Sequence, residues 1–187
     1  MKRDIVVIGA PIGGAAALAQ LVRGLPRDFD AAVFVVLHTA PDTPILLADV
    51  LNAPGGIRAA AAIHGEPVRR GRVYVAIENK HLLLRAEAVN LSDGNGRVQR
   101  PSIDALFESA AESYNGRVVG VILLHAREEG RDGLRAIRRA GGRTVTHRNE
   151  SMSEAPRDAE TGEPLSDRHV ELEQIVGQLL AYAAGQE

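Results

Sequence analysis

The sequence predicts an α/β protein: a three-layer, doubly wound and mainly parallel sheet with helices on both faces and a small hairpin insertion. Three runs of consecutive apolar residues alternate with segments of helical periodicity, and strands that are buried on both faces have this composition. A glycine-rich turn joins the first apolar run to the first helical segment, as in many ligand-binding α/β proteins. The 187 residues, 45% of them hydrophobic, suffice for one domain, which we expect to span residues 1–187.

The elements follow in order along the chain. Strands are predicted at residues 4–10, 32–37, 59–63, 118–124 and 144–146, and helices at 15–25, 45–51, 102–114, 130–140 and 171–184. Ser102 is a candidate N-cap of the third helix. Between residues 66 and 93, glycines separate short segments such as 72–76 and 81–85, and this spacing predicts local hairpins rather than βα units.

Composition excludes several classes of function. The formal net charge of −2 argues against nucleic acid as a main partner. There is no cysteine, hence no disulfide, cysteine–zinc site or thiol nucleophile. The first residues resemble a signal peptide, but Asp4 and Pro11 interrupt its apolar core, and no apolar run reaches the roughly 18 residues of a membrane span. We expect a cytoplasmic protein that uses no membrane, metal or cofactor; the oligomeric state is left open.

A ligand site is expected where the apolar strands end, because sites in such sheets form at the carboxyl ends of strands. The first strand ends in the glycine turn 9–14, the second at His38, and the third before residues 125–133. If these strands are neighbours, their ends meet at one edge. The central residue of the glycine turn is Pro11, which has no hydroxyl, thiol or N–H. It also stands where a dinucleotide-binding fingerprint requires glycine.

A series of segments resembles, in order and spacing, the catalytic domain of the chemotaxis receptor methylesterases, the CheB family. They are IVVIGAPIGG (family G-A-S-x-G-G), VVLHTAP (a strand ending in histidine), RVYVAIENKHL (Y-I-A-P-G-x-x-H-L), RPSIDALFESAA (R-P-S-x-D-x-L-F), VVGVILL, and APRDA (M-P-R-E-A). The resemblance runs from about residue 4 to about residue 180.

The resemblance implies a serine, a histidine and an aspartate that hydrolyse γ-glutamyl methyl esters on chemoreceptors. The serine attacks the ester, the histidine takes its proton, and the aspartate orients the imidazole. In this sequence the serine position is Pro11, the histidine position is His38, and the aspartate position is Glu129. Only the histidine is retained, so we expect the nucleophile and acid positions to be degenerate.

Neighbouring positions depart from the family as well. The family's G-M-G-x-D-G stretch reads HAREEG here, so that His125 and Arg127 replace two glycines, and Ile12 follows the nucleophile position where a small residue is usual. These changes put bulk and positive charge where a neutral ester should lie. Proline is tolerated in the first turn of a helix, so we expect the scaffold to be retained and the reaction to be lost.

Three functions stay open. The first is a catalytically silent domain that binds a partner or ligand. The second is a working hydrolase that uses a displaced nucleophile, Thr39 or Ser102, or a water activated by His38. The third is an anion-binding module. The candidate ligand-binding residues are Gly13, Gly14, Arg100, Ser102, His125 and Arg127, with Arg131 in addition for an anion. The simpler interpretations are a strand-end polar residue for Thr39, a helix N-cap for Ser102 and a solvated surface for the arginines.

The resemblance also implies protein partners. These are chemoreceptors or signalling proteins, namely methyltransferases, histidine kinases and receiver domains. Only three residues precede the first predicted strand, so we expect no receiver domain on this chain, unless it was cut from a larger protein. The sequence leaves open whether Glu129 reaches His38, because His125 could compete for the same carboxylate.

Overall fold

The architecture was obtained from a computed structural model, which describes residues 1–38, 47–52, 56–94, 101–124, 129–150 and 153–186. The strands are β1 (Ile5–Ala10), β2 (Ala32–Leu37), β3 (Arg58–Ala61), β4 (Arg72–Val75), β5 (His81–Arg85), β6 (Ala88–Ser92), β7 (Val118–Ile122), β8 (Arg143–His147) and β9 (Arg168–Val170). The helices are α1 (Ala15–Arg23), α2 (Leu47–Leu51), α3 (Ile103–Tyr114), α4 (Arg131–Arg139) and α5 (Leu172–Ala183), with a 3-10 turn at Asn115–Arg117.

Seven strands form one parallel sheet in the order β3-β4-β2-β1-β7-β8-β9. The chain starts at the centre, builds one half outward and then the other, which confirms the predicted doubly wound fold. Alternate residues of β1 face opposite sides of the sheet. Val6 and Ile8 pack with α1, α2 and α5, whereas Ile5 and Val7 pack with α3 and α4. In the described part of the chain, none of the helices is long and apolar enough to cross a bilayer.

One sequence prediction about this sheet is wrong. Residues 66–93 were expected to form only local hairpins, but β4 joins the main sheet in parallel with β2 and β3. Tyr74 of β4 stacks on Phe34 of β2, with ring centroids 4.8 Å apart. This contact joins residues 40 positions apart in the chain, so local periodicity does not reveal it. Of the predicted helix at 45–51, the first two residues lie outside the described residues.

The predicted small insertion is the antiparallel hairpin β5–β6. Its two-residue turn is Ala86-Glu87, with φ of 49° and 61°, the left-handed region that a type I′ turn requires. Backbone groups of Leu84 that point away from β6 are bonded to α3: Ser109 Oγ accepts from its N–H and Ser113 Oγ donates to its carbonyl. The outer edge of β6 is bonded at Val89, which exchanges backbone hydrogen bonds with residues 65 and 66.

An ion-pair cluster lies at the opposite end of the sheet, where β1 begins. Asp4 is only 3% exposed and accepts hydrogen bonds from Arg117 at 2.8 and 2.9 Å and from Arg70 at 2.5 Å. Burial alone would raise the pKa of Asp4, but these two guanidinium groups outweigh it and hold the pKa below its ordinary value. The cluster links the start of β1 to Arg70, just before β4, and to Arg117, just before β7.

Candidate functional site

The ends of three neighbouring strands meet at one edge of the sheet. In the β2-β1-β7 part, Ala10 pairs with Leu37 and Gly9 with Ile122. The His38 N–H donates to the Ala10 carbonyl at 2.9 Å, and the Leu123 N–H donates to the Gly9 carbonyl, also at 2.9 Å. The start of the glycine turn, His38 and Leu123 just after β7 therefore lie side by side, as the strand pattern predicted; residues 125–128 of the predicted segment lie outside the described residues.

The turn after β1 presents no reactive atom at its centre. The Pro11 carbonyl accepts from the Gly14 N–H at 2.9 Å, and Gly13 has a φ of 90°. Pro11 is half-buried and lies in this turn, ahead of α1, as the sequence predicted. Ile12 beside it is 62% exposed. A covalent route needs a nucleophilic oxygen, sulfur or nitrogen at this position, and a proline side chain has none.

His38 is paired with Glu129, which settles the question that the sequence left open. The imidazole is only 8% exposed, and its Nδ1 lies 3.0 Å from a carboxylate oxygen of Glu129. The other ring nitrogen, Nε2, lies 3.0 Å from the backbone carbonyl of Pro101. Both nitrogens of the buried ring therefore face an oxygen.

This arrangement favours the charged form of His38. A peptide carbonyl only accepts hydrogen bonds, and so does an ionised carboxylate, so both contacts are best satisfied when each ring nitrogen carries a proton. The hydrogen bond with Glu129 raises the pKa of His38 above its ordinary value of 6.5, helped by the Pro101 carbonyl and opposed by burial. In its charged form the ring has no free lone pair with which to accept a proton.

Glu129 has a second partner besides His38. Its other carboxylate oxygen accepts from the Ile103 N–H, at the start of α3, at 3.1 Å. Burial raises the pKa of Glu129, but the bonds from His38 and Ile103 outweigh it and hold the pKa below the ordinary value. Glu129 is therefore ionised near neutral pH and links the end of β2 to the start of α3.

The predicted ligand-binding residues fall into two groups. Gly13 and Gly14 lie in the turn before α1, and Ser102 is 2% exposed, with its Oγ accepting from the Ala105 N–H at 3.2 Å. Ser102 is thus the N-cap of α3, the simpler of its two interpretations. Arg100, His125 and Arg127, together with the alternative nucleophile Thr39, lie outside the described residues. Arg131 donates to the Arg157 carbonyl at 3.0 Å.

Sequence reasoning missed two groups at this edge, the Pro101 carbonyl and the Asp104 carboxylate. Asp104 accepts from the Gly130 N–H at 3.0 Å and from the Gly133 N–H at 2.7 Å. Its signal was present in the sequence as the aspartate of the RPSID segment. Among the described residues, no three histidine, aspartate or glutamate side chains are grouped so as to hold a metal ion.

Comparison with known proteins agrees with this fold. A family model described as CheB methylesterase matches residues 6–179. The chain belongs to the CheB methylesterase family. The crystal structure of the Thermotoga maritima CheB methylesterase catalytic domain superposes on it with a TM-score of 0.82 at 27% identity, covering 96% of this chain and 98% of that one.

Curated CheB relatives are longer than this chain. The protein-glutamate methylesterase/protein-glutamine glutaminase 2 of Anaeromyxobacter dehalogenans is 43% identical over 143 residues, which are 76% of this chain and 42% of that protein. The corresponding protein of the group 3 operon of Pseudomonas putida is 34% identical, covering 98% of this chain and 55% of that protein. The chain spans about half the length of these relatives.

In this CheB-family chain, the three positions for which the resemblance implies catalytic roles lie at one edge. Pro11 and His38 directly follow the paired residues Ala10 and Leu37, and Glu129 contacts His38. The roles of these residues stay predictions. What the described geometry offers is a partly buried histidine–glutamate pair beside a turn whose central residue, Pro11, has no nucleophilic side chain.

Proposed function

We propose that this chain is a CheB-type domain of bacterial chemotaxis or signal transduction that does not hydrolyse γ-glutamyl methyl esters. It acts as a cytoplasmic binding or regulatory module. The observation that carries the proposal is Pro11, at the centre of the turn where the family resemblance implies a serine. Loss of the nucleophile from a serine triad typically removes a factor of about 10⁶ in rate, and no change of rotamer supplies the missing oxygen.

The state of His38 supports the same proposal and weighs against an activated water. A general base must take a proton from water, but both ring nitrogens of His38 face acceptor oxygens, of Glu129 and of the Pro101 carbonyl. The charged ring satisfies both acceptors, and deprotonation would sacrifice one of these hydrogen bonds. The pair therefore serves better as a structural ion pair than as a catalytic dyad.

The partner is proposed from the relatives. Their names describe action on protein glutamate and glutamine side chains, so the partner class that fits is a chemoreceptor or another signalling protein, such as a methyltransferase, histidine kinase or receiver domain. The single-domain organisation of residues 1–187 and the absence of a nucleic-acid, membrane or cofactor partner belong to the same proposal.

The test is release of methanol from γ-methylated chemoreceptor, with release of ammonia from receptor glutamine measured in parallel. An active CheB catalytic domain is the positive control and heat-denatured protein the blank. We expect both signals to equal the blank, while the receptor still co-sediments with the chain. Turnover clearly above the blank refutes the proposal. If that turnover is lost in His38→Gln, it depends on His38 as a base, acting on either a water or a displaced nucleophile.

A displaced nucleophile is tested separately, because it would leave a covalent trace. An active-site-directed fluorophosphonate is incubated with the protein, and the intact mass is recorded. We expect no added mass. A single adduct mapped to Thr39 or Ser102 would establish the alternative in which the chain is an ester hydrolase with a relocated serine or threonine.

A further inference from the structure

The starts of α3 and α4 are joined by two hydrogen-bonded carboxylates that point in opposite directions. Glu129, just before α4, accepts from the Ile103 N–H of α3 at 3.1 Å. Asp104 of α3 accepts from the Gly130 and Gly133 N–H groups at the start of α4, at 3.0 and 2.7 Å. Each helix start therefore uses a carboxylate from the other segment to satisfy amides that have no partner within the helix.

One of these bonds acts on Glu129 through the backbone. The Gly130 N–H belongs to the peptide group that directly follows the Cα of Glu129, so a bond to Asp104 fixes the plane of that peptide. Gly130 has a φ of 87°, a conformation that side chains rarely adopt and that sets the chain direction from Glu129 into α4. Asp104 thereby fixes the backbone at Glu129, and with it the point of attachment of the Glu129 side chain.

We propose that Asp104 is a positioning residue for the His38–Glu129 pair. It holds the turn that carries Glu129, so that the Glu129 carboxylate meets Nδ1 of His38 at 3.0 Å. The proposal concerns the geometry of the pair and stands whether or not the chain hydrolyses esters.

The surroundings of Asp104 disfavour its ionised form. Burial raises the pKa of Asp104, the charges of Asp132 and Glu129 raise it further, and the two glycine N–H groups lower it, with the pKa remaining above its ordinary value. Asp104 and Glu129 thus repel each other across the junction of the helices. Each is kept in place by its own donors: the glycine amides for Asp104, and Ile103 and His38 for Glu129.

The experiment observes the hydrogen bond itself. The Nδ1 proton of His38 is recorded by NMR well below pH 6.5, the ordinary pKa of histidine, where the charged form of the ring is favoured. In the unmodified chain it should give a downfield, slowly exchanging resonance. We expect Asp104→Asn to lose this resonance, because an amide offers one acceptor for two N–H groups. Asp132→Asn is the matched control, since it removes a charge from the first turn of α4 without touching the glycine amides, and should retain the resonance.

Retention of the Nδ1 resonance in folded Asp104→Asn overturns the proposal. A change in the pKa of His38 alone does not support it, because removal of any nearby charge would cause one. The unmodified chain supplies the second measurement, needed if Asp104→Asn fails to fold. The two carboxyl groups are titrated separately by carboxyl ¹³C NMR, so that protonation of Asp104 is distinguished from protonation of Glu129. The Nδ1 resonance should broaden in step with Asp104; broadening only with Glu129 would contradict the positioning role.

Discussion

Replacing Pro11 by serine restores the missing hydroxyl but should not restore esterase activity. In a serine triad the hydroxyl proton passes to the histidine as the ester is attacked. Here both nitrogens of His38 face acceptor oxygens, one of Glu129 and the other the Pro101 carbonyl. These contacts favour the charged ring, which is a poor base for the new serine.

The largest possible deficit follows from these contacts, because a histidine whose Nε2 faces the Pro101 carbonyl is not engaged with the new hydroxyl. Removing the histidine of a serine triad costs about as much as removing all three groups, about 2 × 10⁶ in rate, which is about 8–9 kcal/mol at about 1.36 kcal/mol per decade. Pro11→Ser should therefore stay more than about a hundredfold, and at most about 10⁶-fold, below an active CheB catalytic domain at neutral pH. Any residual rate should increase as the pH rises through the raised pKa of His38, because the ring then sheds a proton.

The assay is methanol release from γ-methylated chemoreceptor between pH 6 and 9, with Pro11→Ala as the matched control that removes the ring without adding a hydroxyl. Both variants should be indistinguishable at neutral pH. If Pro11→Ser reached within about a hundredfold of an active relative, then His38 would be functioning as a base. The reasoning from its two hydrogen bonds would be refuted.

Three further predictions concern stability, each measured as the free energy of unfolding by urea denaturation. The pKa of His38 is raised, so its pair with Glu129 stabilises fully below about pH 6.5, the unfolded value, and this contribution is lost as the pH rises through the folded pKa. Glu129→Gln should abolish that alkaline decline. Asp4→Asn should cost about 1–3 kcal/mol of unfolding free energy. It weakens the ion pairs with Arg70 and Arg117, but the cost is limited because both arginines are half-exposed and regain water. Since the pKa of Asp4 is lowered, the stability that Asp4 contributes in the unmodified chain should disappear on acidification below pH 3.8. Conversely, replacing the turn Ala86-Glu87 by Asn-Gly should stabilise by about 1–2 kcal/mol, because both φ angles are positive.

Controls separate these effects from general changes. His147 is buried, and burial lowers its pKa. Its titration therefore affects the free energy of unfolding only below pH 6.5, and His147→Asn should leave the decline in stability at alkaline pH unchanged. Asp30→Asn removes an exposed partner of Arg70 and should cost much less than Asp4→Asn. An alkaline decline that persists in Glu129→Gln would show that another group is responsible, and equal losses at positions 4 and 30 would contradict the role of burial. A destabilised Asn-Gly turn would mean that the Glu87 side chain contributes.

Local patterns were sufficient for the centre of the sheet but not for its margins. The apolar runs of β1, β2 and β7 are buried on both faces, and their continuity alone indicates central parallel strands. β9 (Arg168–Val170) was not predicted, because none of its three residues is fully buried and its place is set by pairing with β8. β4 was assigned to a hairpin because its parallel partners are distant in the chain. Such strands are defined by long-range pairing rather than by their own composition.

The candidate site was predictable to the level of side chains that share an edge. Strand ends predicted that the glycine turn and His38 would be adjacent, and the family resemblance suggested Glu129 as the acid. The contact of Nε2 with the Pro101 carbonyl was not predictable, since it depends on the path of the backbone before α3. Asp104 was visible in the RPSID segment, but its partners are backbone amides, and a sequence pattern does not show which amides lie within reach.

The bonded flanks of the β5–β6 hairpin restrict how this part of the surface meets other chains. At Leu84 the outward N–H and carbonyl are taken up by hydroxyl groups of α3, and at Val89 by the preceding loop. At these positions an extended peptide finds no free main-chain groups to pair with as an added strand. Neither recruitment of a receptor segment by strand addition nor templated aggregation is therefore favoured there. Recognition on this flank has to rely on side chains, whose identity can diverge without disturbing the fold.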